Sequence, residues 1–329
     1  MRVSAIPLLG LPLLLAHCGS SGDLVIGHLE SITAGRPSVV PGGGSEAAAG
    51  SNGGGSETGG AGGGGATGAT SGDGGSGAVG GTEQGGAPDG TAGTSSNCPE
   101  GEGPPIDSLI HRYSFDGTGT AITDSVGGAH GTLVNGAMLD GSGVLTLPGN
   151  RDGQPDQYVD LPNRLVSGLS EVTVVAWTTW AGGAGYQRIF DFGISDTGEG
   201  QGNSGKSYIA VMPSTGFANG TGLGAEIAAP GYPTLGLPSA EMMKDRSAMV
   251  GFALRSGSSV GLYLDGRLLI ESPTTFKLSS VDDRNDFVGE SQWSKDHCYH
   301  GTFEELRIYN VVLTACQQRT LLLRGPDMP

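Results

Sequence analysis

Aromatic and basic side chains are both scarce in this chain of 329 residues. Aromatic residues make up 6% of it, and none precedes Tyr113. Nothing upstream of Tyr113 can therefore anchor a packed core. Lysine and arginine number 17 against 33 aspartates and glutamates, and the only basic residues before Arg112 are Arg2 and Arg36. Phosphate binding needs clustered cations, so a nucleic-acid partner is excluded. Long apolar runs are also missing: the stretch from Val3 to Ala16 is broken by Ser4, Pro7, Gly10 and Pro12 and is too short for a membrane-spanning helix. Glycine is what the chain has in excess. Of 63 glycines, 24 fall between Pro41 and Asn97.

These contrasts divide the chain in three. Residues 1–18 read as an export signal, with Arg2 ahead of the apolar run. Leu15-Ala16-His17-Cys18-Gly19 resembles a bacterial lipoprotein box, with His17 where that box carries a small residue. The resemblance implies acylation of Cys18 and a membrane anchor, at the outer membrane or cell surface of a bacterium; plain secretion is the alternative. Residues 19–105 read as a disordered Gly/Ser/Ala-rich tether, within which Leu24-Val25-Ile26 has no assigned role. A Gly-rich coil of that length reaches on the order of 50 Å. Residues 106–329 are long enough for one sizeable core.

In that last part, short β-branched and aromatic runs alternate with Gly, Asp and Asn turns. The spacing predicts strands over 109–115, 172–178, 188–192, 208–212, 248–254, 260–264, 268–271 and 302–309. Asp265-Gly266 predicts a tight hairpin turn, and Leu313, Gln317, Thr320 and Leu321 predict a short helix after Asn310. The ordered strings Leu109–Gly117, Asp124–Gly128, Tyr158–Pro162, Val172–Trp177, Arg188–Gly193, Leu262–Gly266, Gly289–Trp293 and Gly301–Asn310 resemble a laminin-G-like domain of the concanavalin-A-like lectin/glucanase type. The resemblance implies an all-β fold: a two-sheet antiparallel jelly-roll sandwich whose first and last strands pair.

It also directs attention to chemistry. Glucanases of this type carry Glu-x-Asp-x-x-Glu on one concave strand, with the carboxylates facing one substrate. That spacing is absent, and Glu304-Glu305 are neighbours on one strand, so no enzyme is expected. His297 and His300 are the only close histidine pair. The family often holds a structural Ca²⁺, and pairing of the end strands places Asp116 and Asp124 near Glu304 as oxygen ligands; turn formation is the competing role of both aspartates. For ligand binding the candidates are Trp180 and Tyr186, which bracket the loop before Arg188, and Trp293 with Asn203 and Asp296. Their rings could stack on a sugar, whereas Arg188 and Asp191 read as a structural pair.

Export permits disulfides. With Cys18 set aside, three cysteines remain, so one of them must be free or pair externally. Cys298 and Cys316 flank the last strand, whose ends lie about 30 Å apart, beyond the reach of a bridge. Cys98 lies just ahead of the first strand, so Cys98–Cys316 is the expected disulfide and Cys298 the odd residue. The function expected is a non-catalytic surface module recognising a glycan or an extracellular protein. A structural or adhesive envelope component is the alternative, and a carbohydrate-active enzyme the third reading.

Overall fold

The computed structural model describes Cys98, Pro99 and residues 102–328, apart from 150–154, 156, 217–221 and 242. Cys18 and most of the proposed tether lie outside the described residues. In chain order the strands are β1 (Leu109–Tyr113), β2 (Thr118–Gly119), β3 (Ala121–Ile122), β4 (Gly131–Val134), β5 (Leu139–Asp140) and β6 (Leu145–Pro148). They continue with β7 (Tyr158–Leu161), β8 (Glu171–Trp180), β9 (Phe190–Ser195), β10 (Gly205–Met212), β11 (Gly224–Ala228) and β12 (Leu235–Pro238). The last are β13 (Ser247–Arg255), β14 (Ser259–Leu264), β15 (Arg267–Pro273), β16 (Asn285–Val288) and β17 (His300–Tyr309), followed by helix α1 (Ala315–Arg324).

They form two large antiparallel sheets, the expected jelly-roll sandwich, and β2 and β5 pair as a separate two-stranded ribbon. One has the order β1-β17-β8-β13-β14-β15, with β6 also paired to β17; the other runs β12-β11-β10-β9-β16-β7-β4-β3. First and last strands pair, Tyr113 opposite Leu306. Between the sheets, alternate residues such as Val172, Val174 and Ala176 of β8, Phe190 and Phe192 of β9, and Ile209 and Val211 of β10 make one core. Asp265 and Gly266 both have positive φ, 52° and 72°, which is what a tight two-residue hairpin between β14 and β15 demands.

β8 is apolar on both faces for a reason. Its other row, Val175 and Trp177, packs with Met249, Tyr309, Leu313 and Leu321, so α1 covers the outer face of the first sheet. Thr314 caps α1 through a capping box with Gln317. The chain after α1 stays on that face: Arg307, wholly buried, donates to the carbonyls of Pro326 and Met328 and lies over Trp177 at 4.8 Å. Cys98 and Cys316 are joined as expected, Cα to Cα 5.3 Å, and Glu102 is held by Thr314 and Thr320. No described cysteine is free, which corrects the expectation that Cys298 is an odd residue. The second sheet keeps its outer face clear of α1.

Candidate functional site

Trp180 does not belong to a binding surface. It ends the inward row of β8, 4% exposed, and its indole N–H donates to Gln187 Oε1 at 2.9 Å. The same Gln187 oxygen accepts the His300 amide, so this tryptophan is part of the core.

Of the other four candidates, Tyr186, Trp293 and Asp296 gather on the second sheet around a residue read as structural, Arg188, and Asn203 follows the residue that bridges to Trp293. Tyr186, 37% exposed, has φ +63°, and its ring lies against Gly216, where a Cβ would come within 2.7 Å of it. Arg188, 4% exposed, donates through Nη1 to the Tyr186 carbonyl, through Nε to Asp191 at 3.2 Å and through Nη2 to Asp296 at 2.8 Å. Its guanidinium lies 6.0 Å from the Tyr186 ring and 5.3 Å from the Trp293 ring, so the two rings flank one cation. Trp293 is half-buried and meets Tyr208 edge-on, centroids 4.8 Å apart. Gly202 bridges to Trp293, and Asn203 beside it is exposed, its amide donating to Asp196 at 2.9 Å. Asp296 also accepts from Ser291 at 2.8 Å.

Beneath the rings is a buried polar floor. Asp191 is fully buried; burial raises its carboxyl against the opposing pull of Arg188, leaving it at about 6. Gln292 bonds the backbone of Asp191 and Asn285, and Asn285 returns a bond to Gln292 at 2.8 Å. This network fixes the 289–299 loop over β9 and β16 and so fixes Trp293. On the neighbouring strands Tyr208, edge-on to Trp293, donates to half-buried Glu226. Neither was singled out in the sequence. Tyr208 reads as one more residue of an apolar strand, and β11 carries no strong β-pattern of its own.

The calcium ligands are not assembled. Asp124 Oδ1 accepts the amides of Arg112, Val126 and Gly127 at 2.9–3.1 Å, and Oδ2 accepts the Ala129 amide and His111 Nδ1 at 2.9 and 2.8 Å. Five donors surround this carboxylate, a setting built for an anion and not for a ligand to a cation. Asp116 accepts from Ser114, and Glu304 is 3.4 Å from Ser247 on β13. Among the described residues no three His, Cys, Asp or Glu side chains are grouped to hold a metal ion, the His297–His300 region included. Asp116, Asp124 and Glu304 thus have separate partners and are not brought together. A register shift between Phe303 and Glu305 gives Glu305 its own role, buried between Arg112 and Arg307.

A family model described as the concanavalin A-like lectin/glucanases superfamily matches residues 152–317, more than half of the chain. The chain belongs to the concanavalin A-like lectin/glucanase superfamily. Among solved structures, domain 4 of an extracellular arabinanase from Geobacillus stearothermophilus, in complex with arabinotriose, is 20% identical with a TM-score of 0.49; the match covers 65% of this chain and 97% of that one. A Trypanosoma rangeli sialidase in complex with sialic acid is 15% identical with a TM-score of 0.47, covering 67% of this chain and 33% of that one. This superfamily member therefore spans about a third of the sialidase. The CBM40 of a Ruminococcus gnavus sialidase, bound to α2,3 sialyllactose, is 18% identical with a TM-score of 0.38, covering 54% and 97% of the two chains. A comparison with curated proteins found no match.

Proposed function

We propose that this superfamily member is a non-catalytic binding module that recognises a glycan at the Tyr186–Trp293 surface of its second sheet. One observation carries the reading: an exposed tyrosine held at φ +63° by a buried arginine whose other side faces a half-buried tryptophan. A left-handed backbone costs a non-glycine residue roughly 1–2 kcal/mol, and such strain concentrates where a ligand is met. Two rings with Asp296 on the same arginine, Asn203 next to the Gly202–Trp293 bridge and Glu226 on Tyr208 offer stacking together with hydrogen-bonding groups, the combination a sugar ring uses. Asp191, the carboxylate beneath them, is sealed from solvent and tied to Arg188 and so is not placed to serve as acid or base. A panel of immobilised glycans that includes arabinotriose and α2,3 sialyllactose, probed with the full chain and with Trp293→Ala, tests the reading.

Orientation supports it too. Cys98, where the described chain begins, is fastened to Cys316 in α1, on the outer face of the first sheet. A chain held there presents the Tyr186 surface on the opposite side. In this reading residues 19–105 are the tether, Cys18 is the acylated anchor of an exported, membrane-held lipoprotein, and Cys298, which is not free, pairs outside the chain. Mass spectrometry of the N-terminal peptide from expressing cells tests the anchor: a lipid mass on Cys18 is expected, and a Cys18 found in a disulfide would contradict it.

A further inference from the structure

A cleft of about 570 Å³ opens at the opposite end of the strands from Tyr186. β8 fixes that separation. Its Trp180 end leads to Tyr186, while at its other end Glu171 pairs with Arg255, the residue before the turn that supplies Gly257 and Ser258 to the cleft. Ten strand residues put the two places about 30 Å apart. The remaining walls are the Tyr232–Leu235 segment that enters β12 and the Pro273–Phe276 segment that leaves β15.

Three features decide what such a cleft can hold. In a chain of formal net charge -16, no charged side chain lines it among the described residues. An ionic ligand would be desolvated there without a counter-charge. Much of its backbone is already in use: the Gly257 amide donates to Phe276, Thr274 to Ser258, Tyr232 to Ala229, and the Phe276 amide to the Thr274 hydroxyl. Those amides are not offered to an extended peptide as a strand ladder. What remains are the exposed hydroxyls of Thr234, Ser258 and Thr275 and the ring of Tyr232, held against buried Phe276 with centroids 5.3 Å apart. Each hydroxyl both donates and accepts, and matches the hydroxyls of an uncharged sugar while the ring takes its apolar face. The volume falls within the range of small-ligand sites.

We propose that this cleft is a second ligand site, separate from the Tyr186 surface, and that its ligand is a neutral saccharide. The full chain is titrated with arabinotriose, cellotriose and lactose by saturation-transfer NMR, with N-acetylneuraminic acid and hexaproline as charged and peptidic counter-probes. At least one neutral sugar should bind, about tenfold more weakly to Tyr232→Ala, the loss of one stacked ring, and measurably more weakly to Thr275→Val. Thr275 is exposed, so this near-isosteric change leaves the fold intact and keeps the test valid if Tyr232→Ala is unstable. Binding to the cleft should survive Trp293→Ala. Absence of any neutral-sugar signal overturns the proposal. So does a signal lost in Trp293→Ala but kept in Tyr232→Ala, which would leave the Tyr186 surface standing alone. Preference for hexaproline, reduced by Tyr232→Ala, would assign the cleft to a peptide instead.

Discussion

Arg188 donates to the backbone carbonyl of Tyr186 while its remaining bonds hold Asp191 and Asp296. One buried cation thus locks the backbone that displays the exposed ring and the loop that carries Trp293. The strain at Tyr186 and the rigidity of the aromatic pair have the same cause.

That coupling separates binding from stability. Tyr186→Gly relieves a left-handed backbone worth roughly 1–2 kcal/mol and gives up the ring contact with Gly216, so the two effects offset. Stability by denaturant titration should change by less than about 1 kcal/mol, while glycan affinity falls at least about tenfold. A large loss of stability with binding retained would show that Tyr186 serves the fold.

Asp124 governs acid tolerance. Burial alone would raise its carboxyl, but the Arg112 amide, the His111 ring and the Val126 and Ala129 amides pull it down to about 2 from an ordinary 3.8. A folded value below the unfolded one stabilises the fold above pH 4, and that contribution is lost as pH falls toward 2. It amounts to about 2 kcal/mol. Asp124→Asn should therefore lower Tm at pH 7 and flatten the acid limb of the Tm–pH curve. Because this carboxylate is filled by donors, Tm should be the same in calcium and in chelator; a rise with calcium would contradict the anion-cradle assignment.

Asp286 works with the opposite sign. It is wholly buried, takes the Leu165 amide on Oδ2 at 3.3 Å, and has no partner for Oδ1 among the described residues. Burial first, then Asp283, holds its carboxyl well above 3.8. The folded state thus keeps a proton that the unfolded chain releases, so this contribution is full below the ordinary carboxylate range and is lost as pH rises toward the folded value. Asp286→Asn, neutral at every pH, should melt higher than the parent at pH 8, with the gap closing toward pH 4. A variant equally destabilised across that range would mean that the side chain is held as an anion.

The strands that define the sandwich were legible because their side chains alternate at period two between a core and a turn-rich surface. β8, β13 and β17 are long, with apolar, β-branched or aromatic residues along them, and stood out accordingly. β11, β12 and β16 are short and borrow their order from neighbours, so Gly224–Ala228 and Asn285–Val288 carried little signal. The disulfide followed from strand geometry together with the end-strand pairing that the family resemblance implies and with Cys18 set aside. Trp180 was misplaced because one indole at a strand end is compatible with either face, and only its bond to Gln187 settles the matter. The three calcium candidates are not brought together, on contacts that spacing does not encode: the segment after Asp124 folds back to put its own amides on the carboxylate. Arg188 is the partner of Asp191 that the sequence suggested, and it is also the post between two rings.

The central claim is that the Tyr186–Trp293 surface binds a glycan. The most direct test is titration of the full chain against glycan-panel hits, following tryptophan fluorescence in the parent and in Tyr186→Ala, Trp293→Ala and Trp180→Phe. The account predicts a saturable change in the parent, abolished by Trp293→Ala, weakened at least about tenfold by Tyr186→Ala and retained in Trp180→Phe. A folded parent that binds no glycan, or one whose affinity is the same in Tyr186→Ala and Trp293→Ala, would contradict it.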